Sequence, residues 1–154
     1  MKLAEALILR SDIQRKIQQL RFRLESVVRV QEGEDPAEDP AELFAELEDC
    51  LTQYTKLIQD INRTNAKTML EPGLSIADAL ALRETSVKHR DVLYDVIRQA
   101  TIRLERTSRS EIKFVTTVDN KKLQKQVDEL AKAHRVLDTK IQEKNWTTDL
   151  ITAP

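Results

Sequence analysis

Apolar residues recur along this chain at alternating steps of three and four. Leu3, Ala6, Ile13, Ile17, Leu20, Leu24 and Val27 share one such seam, with Arg10 as its only charged member. That spacing predicts an amphipathic helix over about residues 2–28, because positions three and four apart fall on one helical face. Phe44, Leu47, Leu51, Tyr54, Ile58 and Ile61 form a second seam, widened by Leu43, Cys50 and Leu57, and predict a helix over about 40–68. Its start is explicit in Asp39-Pro40-Ala41-Glu42: an Asp N-cap, a Pro at the first helical position and a Glu as capping-box partner. Glu71-Pro72-Gly73 stops it.

A third helix is expected over about 76–106, opened by Ser75 and Asp78 as a capping box and carrying Ile76, Leu80, Val87, Leu93, Tyr94, Ile97, Ala100 and Leu104. Its face is less regular, since Arg83, His89 and Arg90 lie near the stripe. Asp119 caps a fourth helix over about 120–144, whose seam runs Leu123, Val127, Leu130, His134, Leu137, Ile141. Two stretches are β-branched instead. Val27 to Gln31 and Ile112 to Val118 read as short strands. A lone strand needs an edge to pair with, so these two are expected to pair, within one chain or between two subunits. The resulting fold class is mainly α: a long-helix bundle of about four helices with coiled-coil-like seams and a two-stranded β element, forming a single domain over 1–154.

Composition agrees with this pattern. Charged residues are 33%, aromatics only 4%, and there are two Gly and four Pro, which favours long helices over turn-rich folds. The formal net charge is −1, so no global field draws in nucleic acid or a membrane. The charge is unevenly placed. Residues 31–60 hold ten acidic side chains against Lys56 alone, whereas 83–125 lean basic through Arg98, Arg103, Arg106, Arg109, Lys113, Lys121, Lys122 and Lys125. These blocks are expected to complement each other within the fold or between subunits. Cys50 is the only cysteine, which precludes an internal disulfide and suits a reducing cytoplasm. Met1 to Arg10, with Glu5 and Arg10, does not read as a signal peptide. No apolar run approaches the ~20 residues of a membrane-spanning helix.

The chemistry-bearing residues are few. Neither His89 nor His134 has a Glu three positions earlier, as di-metal helical carboxylate sites require. Glu46 and Asp49 supply only one half of the paired acidic spacing by which all-α nucleotide pyrophosphohydrolases hold magnesium. The acidic loop Glu32-Gly33-Glu34-Asp35 lacks calcium-loop periodicity, and two distant glycines make no phosphate loop. No metal and no cofactor are expected. Cys50 reads as a small buried hydrophobe, and His134 as an interior or interface histidine. The polar run Asn62-Arg63-Thr64-Asn65 stands out, because it falls where an apolar seam should continue. It reads first as a layer that fixes helix register. The sharper alternative is a small anionic-ligand pocket formed by Asn62, Arg63, Asn65 and Arg83 with Arg109, Ser110 and Lys113.

Leu7-Ile8-Leu9-Arg10, Val30-Gln31-Glu32-Gly33, Ile61 to Asn65, Ser108 to Lys113 and Asn145-Trp146-Thr147-Thr148-Asp149-Leu150 resemble a family of small uncharacterised bacterial helical proteins, sometimes labelled septicolysin-like. The resemblance covers nearly the whole chain and implies a bacterial cytoplasmic helical protein. It supplies no catalytic or binding residues, and the cytolysin in the label gains little from this sequence. The expectation is a non-enzymatic, self-assembling interaction or scaffold protein. Its partner is itself, as a homo-oligomer, or an unidentified protein; nucleic acid and membrane are not expected partners. The rivals are an enzyme or anionic-ligand binder with a polar pocket, and a membrane-active cytolysin.

Overall fold

A computed structural model describes residues 1–101 and 114–153. Its described residues hold four helices and one two-stranded antiparallel sheet, in the order α1 (Leu3–Val27), α2 (Pro40–Lys67), β1 (Met69–Glu71), β2 (Leu74–Ser75), α3 (Ile76–Thr101) and α4 (Asn120–Thr147). The fold is mainly α, as the seams require. The residues group into two compact units: Met1–Ile76 with Gln142–Pro154, and Ala77–Ile141.

In the first unit α1 packs along α2. Every member of the α1 seam is removed from the exposed surface, including Arg10, and Leu3, Ala6, Ile13, Leu20, Leu24 and Val27 are buried. On α2 the core runs one position away from the predicted seam. Leu43, Cys50, Leu57 and Ile61 are buried, whereas Phe44 and Leu51 are 50% and 39% exposed. The residues expected only to widen the seam are its centre. A row through 43, 47, 50, 54, 57, 61 and 64 keeps the same alternation of four and three, so period alone did not choose between the two rows. Cys50 is accordingly a buried member of this core.

The caps expected at Asp39 and Asp119 are present. The Asp39 side chain accepts from the Ala41 amide at 2.8 Å with Pro40 at the first helical position, and Asp119 accepts from the Lys122 amide at 3.1 Å. The acidic stretch around α2 is matched by α1: Lys16 pairs with Glu46 at 2.9 Å, and Arg23 with Glu38. Within the chain, cations of α1 thus partner Glu38 and Glu46.

The β element lies elsewhere than at 27–31 and 112–118. Val27 is the last residue of α1 and Val28 closes that helix through an amide bond to Leu24 O at 3.1 Å. Residues 28–31 and 114–118 form no strand; 112 and 113, like 102–106 at the expected end of the third helix, lie outside the described residues. The sheet is a hairpin at Pro72-Gly73 that pairs Met69 with Ser75 and Glu71 with Leu74. Gly73 has φ +79°, and Pro followed by a left-handed Gly suits a tight turn. The segment read only as a helix stop is thus the turn that joins two short strands. The fourth helix runs three residues past its expected end at 144.

In the second unit the α4 seam is as predicted, with Val127 and Ile141 buried and Leu123, Leu130, His134 and Leu137 half-buried. On α3 the inward row includes Arg83, Val87, Arg90, Leu93 and Ile97, all half-buried. Arg83 Nη1 donates to Asp138 Oδ1 across the pair. Residues 115–118 run beside α3 and line a groove with Val92, Val96 and Ala100. With 28–31 taken into a helix end and turn, that β-branched stretch finds side chains of α3 in place of a strand edge.

Candidate functional site: a polar clasp on the terminal segment

The last turns of α2 present Asp60, Arg63 and Thr64 in positions i, i+3 and i+4, which share one helical face. Asp60 is 4% exposed and Thr64 fully buried. Burial of a carboxylate is costly unless it is paired and hydrogen-bonded, and here both conditions hold. Asp60 Oδ1 accepts from Arg63 Nη1 at 2.7 Å and from the Ala153 amide at 3.1 Å. Thr64 Oγ1 donates to Asp60 O at 2.7 Å and accepts from the Ile151 amide at 2.9 Å. Arg63 Nη1 also reaches Ile151 O at 3.5 Å. One helical face therefore binds the backbone of residues 151–153, in a place where no secondary-structure ladder would satisfy it.

The same segment is held from its other end. The Leu3 amide donates to Thr148 O and the Leu150 amide to Met1 O, both at 2.9 Å, so that Lys2 and Asp149 form an antiparallel bridge. Lys2 Nζ pairs with Asp149 Oδ1 at 2.8 Å. The hydrogen bond from that ammonium, and then its charge, hold the Asp149 carboxyl below the usual carboxylate range. Asn145, one helical turn before the segment, is buried as well.

The residues proposed from sequence are placed as follows. Arg63 is part of the clasp and engaged by a carboxylate and a carbonyl. Asn62 is exposed and Asn65 half-buried on the same helix. Arg83 belongs to the second unit and is paired with Asp138. Arg109, Ser110 and Lys113 lie outside the described residues. Sequence reasoning missed Asp60 and the terminal segment. Asp60 did carry a signal, because an acidic residue three positions before Arg63 and four before Thr64 completes a polar face. The arrangement is built to hold main chain. Among the described residues no group of three or more His, Cys, Asp or Glu side chains could hold a metal ion. None of the helices described is long and apolar enough to cross a membrane.

Comparison with known proteins agrees with the fold and is silent on chemistry. The chain is similar to a functionally unknown conserved protein from Corynebacterium diphtheriae, known from its crystal structure: 45% identity, 97% of this chain and 98% of that chain covered, TM-score 0.89. A search of curated proteins found no match. A family model described as a family of unknown function, DUF6847, matches residues 10–150. Neither description mentions a cytolysin. With that match spanning most of the sequence, the chain belongs to the family of unknown function DUF6847.

Proposed function

We propose that this protein is a non-enzymatic, self-assembling helical interaction protein of the cytoplasm. The observation that carries the reading is the incomplete core of the second unit. Among the described residues of that unit, the buried apolar side chains are Ala79, Val127 and Ile141, while Leu82, Val92, Tyr94 and Val136 are between 49% and 60% exposed. Two long helices with a seam this thin remove little apolar surface from water, and helix pairs gain most of their stability from such burial. A further helical layer supplied by another chain completes the burial. Light scattering at micromolar concentration is expected to give a mass above one chain; a clean monomer overturns the reading.

The anionic-ligand pocket draws less support. Its two described arginines, Arg63 and Arg83, are each engaged by a carboxylate, so an anion would have to displace an existing partner. Stabilisation by phosphate, sulfate or a nucleotide in a thermal-shift assay would revive it. The cytolysin reading gains no support from the described helices and would need dye release from liposomes.

A further inference from the structure

The helix pair of the second unit has two unlike sides. Arg83 meets Asp138 near one end, and residues 115–118, just before α4, lie against Val92, Val96 and Ala100 near the other. The two helices therefore run antiparallel, and at equal rise per residue 82–93 of α3 stand beside about 128–139 of α4. At about 100° per residue, Leu82, Ser86, His89 and Leu93 fall within one narrow stripe of α3, in steps of four, three and four. Gln126, Leu130, Ala133 and Leu137 form a stripe of α4 in the same steps. Each stripe is turned by roughly 80°, in the same sense, from the row that faces the other helix, which runs through Arg83 and Arg90 on α3 and Val127 and His134 on α4. In antiparallel helices the same turn leads to the same side of the pair. The two stripes therefore share one side and one level, and neither holds an acidic or a basic Lys or Arg side chain.

Turning roughly 90° the other way brings up Glu84, Asp91 and Arg98 on α3 and Asp128 and Arg135 on α4. Charge is thus gathered on one side of the pair and kept out of the stripes on the other. That uncharged side is open: Leu82 is 55% exposed, His89, Gln126 and Ala133 are exposed, and Ser86, Leu93, Leu130 and Leu137 are only half-buried. The groove formed with residues 115–118 takes in Val92, Asp95, Val96, Gln99 and Ala100 of α3, none of them in the stripe. A helix in a four-helix bundle carries such a second row beside its main seam, because it packs against two neighbours.

The rim of α4 selects the neighbour. Lys122 and Lys140 stand about 20° beyond Ala133. Two copies packed α4 on α4, antiparallel about the middle of the stripe, would bring Lys122 of one beside Lys140 of the other, twice over. Two copies related by an axis along the helices pack α3 on α4 instead. The lysine rim then runs along the rim of the other α3, where Thr85 and His89 carry no such charge, and every neighbouring pair of helices stays antiparallel. The face is in this arrangement its own complement.

We infer that two copies of this chain associate through the uncharged side of the second unit, α3 of each against α4 of the other, as a four-helix bundle centred near His89 and Ala133. The inference rests on the self-assembly reading and adds the face and the pairing of helices. Such an isologous contact closes on itself and yields a dimer.

Two measurements on the full chain test it. Ala133→Glu places a carboxylate in the α4 stripe, and the dimer dissociation constant from sedimentation equilibrium is expected to rise roughly a hundredfold or more, because the charge would be buried without a partner. Leu82→Glu should act alike from the α3 stripe, whereas Arg135→Gln on the charged side should leave the constant unchanged. Ala133 and Leu82 are exposed in the single chain, so helix content by circular dichroism should not change in any of the three. In a Cys50→Ala background, nitroxide labels at Lys125→Cys, Lys132→Cys and Thr139→Cys, all exposed and away from the stripe, are compared by pulsed electron resonance. An axis along the helices predicts similar distances between like labels at all three sites. A short distance at 132 with axial separations of roughly 20 Å at 125 and 139, from a rise of 1.5 Å per residue, means α4 on α4 and overturns the pairing of helices. A dimer that survives both Ala133→Glu and Leu82→Glu overturns the face and leaves self-assembly standing. A native chain that is monomeric at micromolar concentration overturns both.

Discussion

The two compact units are built from helices of nearly equal length, 25 and 28 residues in α1 and α2 and 26 and 28 in α3 and α4, yet they bury very different amounts of themselves. In the first unit the inward rows are almost continuous Leu, Ile, Val and Ala, and Leu3, Leu20, Ile61 and Ile76 are 2% exposed or less. Where that core turns polar, at Asp60 and Thr64, the terminal segment supplies partners. In the second unit the inward rows include Arg83, Ser86, Arg90, His134 and Asp138, all half-buried, and His134 Nδ1 is a buried atom without a partner. Equal periodicity thus led to one closed core and one open one. The deciding variable is the residue type at each seam position, since a seam carrying arginines must keep its side chains long, hydrated or paired.

The sharpest way to break this comparison is to truncate one inward-facing leucine in each unit. Leu20→Ala leaves a cavity at a fully buried site and should cost about 3–4 kcal/mol in urea unfolding. Leu137→Ala removes a half-buried side chain and should cost about 1–2 kcal/mol. The second loss should also depend on protein concentration, because part of the burial at that end comes from association. Equal, concentration-independent losses would show that the second unit is closed by itself.

Next in size is the clasp. Asp60→Ala leaves Arg63 and the Ala153 amide without their shared acceptor, and a cost of about 3 kcal/mol is expected for breaking a buried charged pair. Limited proteolysis should then cut within residues 148–153 faster than in the native chain. Unchanged cleavage would mean that the contacts to α1 suffice to hold the segment. Asp60→Asn separates charge from shape, because it keeps an acceptor for the Ala153 amide while removing the ion pair.

These two experiments fall on opposite sides of what could be read in advance. The α1 seam was legible except for Ala4, buried beside it, since a helix with one apolar row has one face to bury. The α2 core was legible only to within one position. Phe44, Leu51 and Ile58 form as good a row as Leu43, Cys50 and Leu57, and α1, which no local pattern on α2 specifies, makes the choice. The β hairpin was hidden because its strands are three and two residues long, too short for alternation to register, whereas Val27 to Val30 has strand composition beside a helix that simply reaches Val27. Asp60 was passed over because a carboxylate on a helix usually marks the wet side. Its distant partner is the Ala153 amide, 93 residues away, as that of Thr64 is the Ile151 amide, 87 residues away, and backbone donors have no sequence signature.

The smallest expected effect concerns the ion pair at the other end of the clasp. Lys2 and Asp149 are 40% and 78% exposed, so the pair is screened by salt and contributes little. The ammonium depresses the Asp149 carboxyl pKa. A depressed folded value stabilises the native state above the unfolded pKa of about 3.9, and that contribution is lost as pH falls through the lower folded value. Asp149→Asn should therefore unfold marginally sooner than the native chain at neutral pH and low salt. The two should converge below about pH 4, and at any pH in molar salt. The backbone bonds of Leu3 to Thr148 and Leu150 to Met1 are untouched by the substitution, so proteolysis of the terminal segment should not accelerate as it does in Asp60→Ala. If Asp149→Asn releases the segment as readily, a surface charge pair rather than the buried carboxylate holds the clasp, and the first unit is closed by its rim instead of its core.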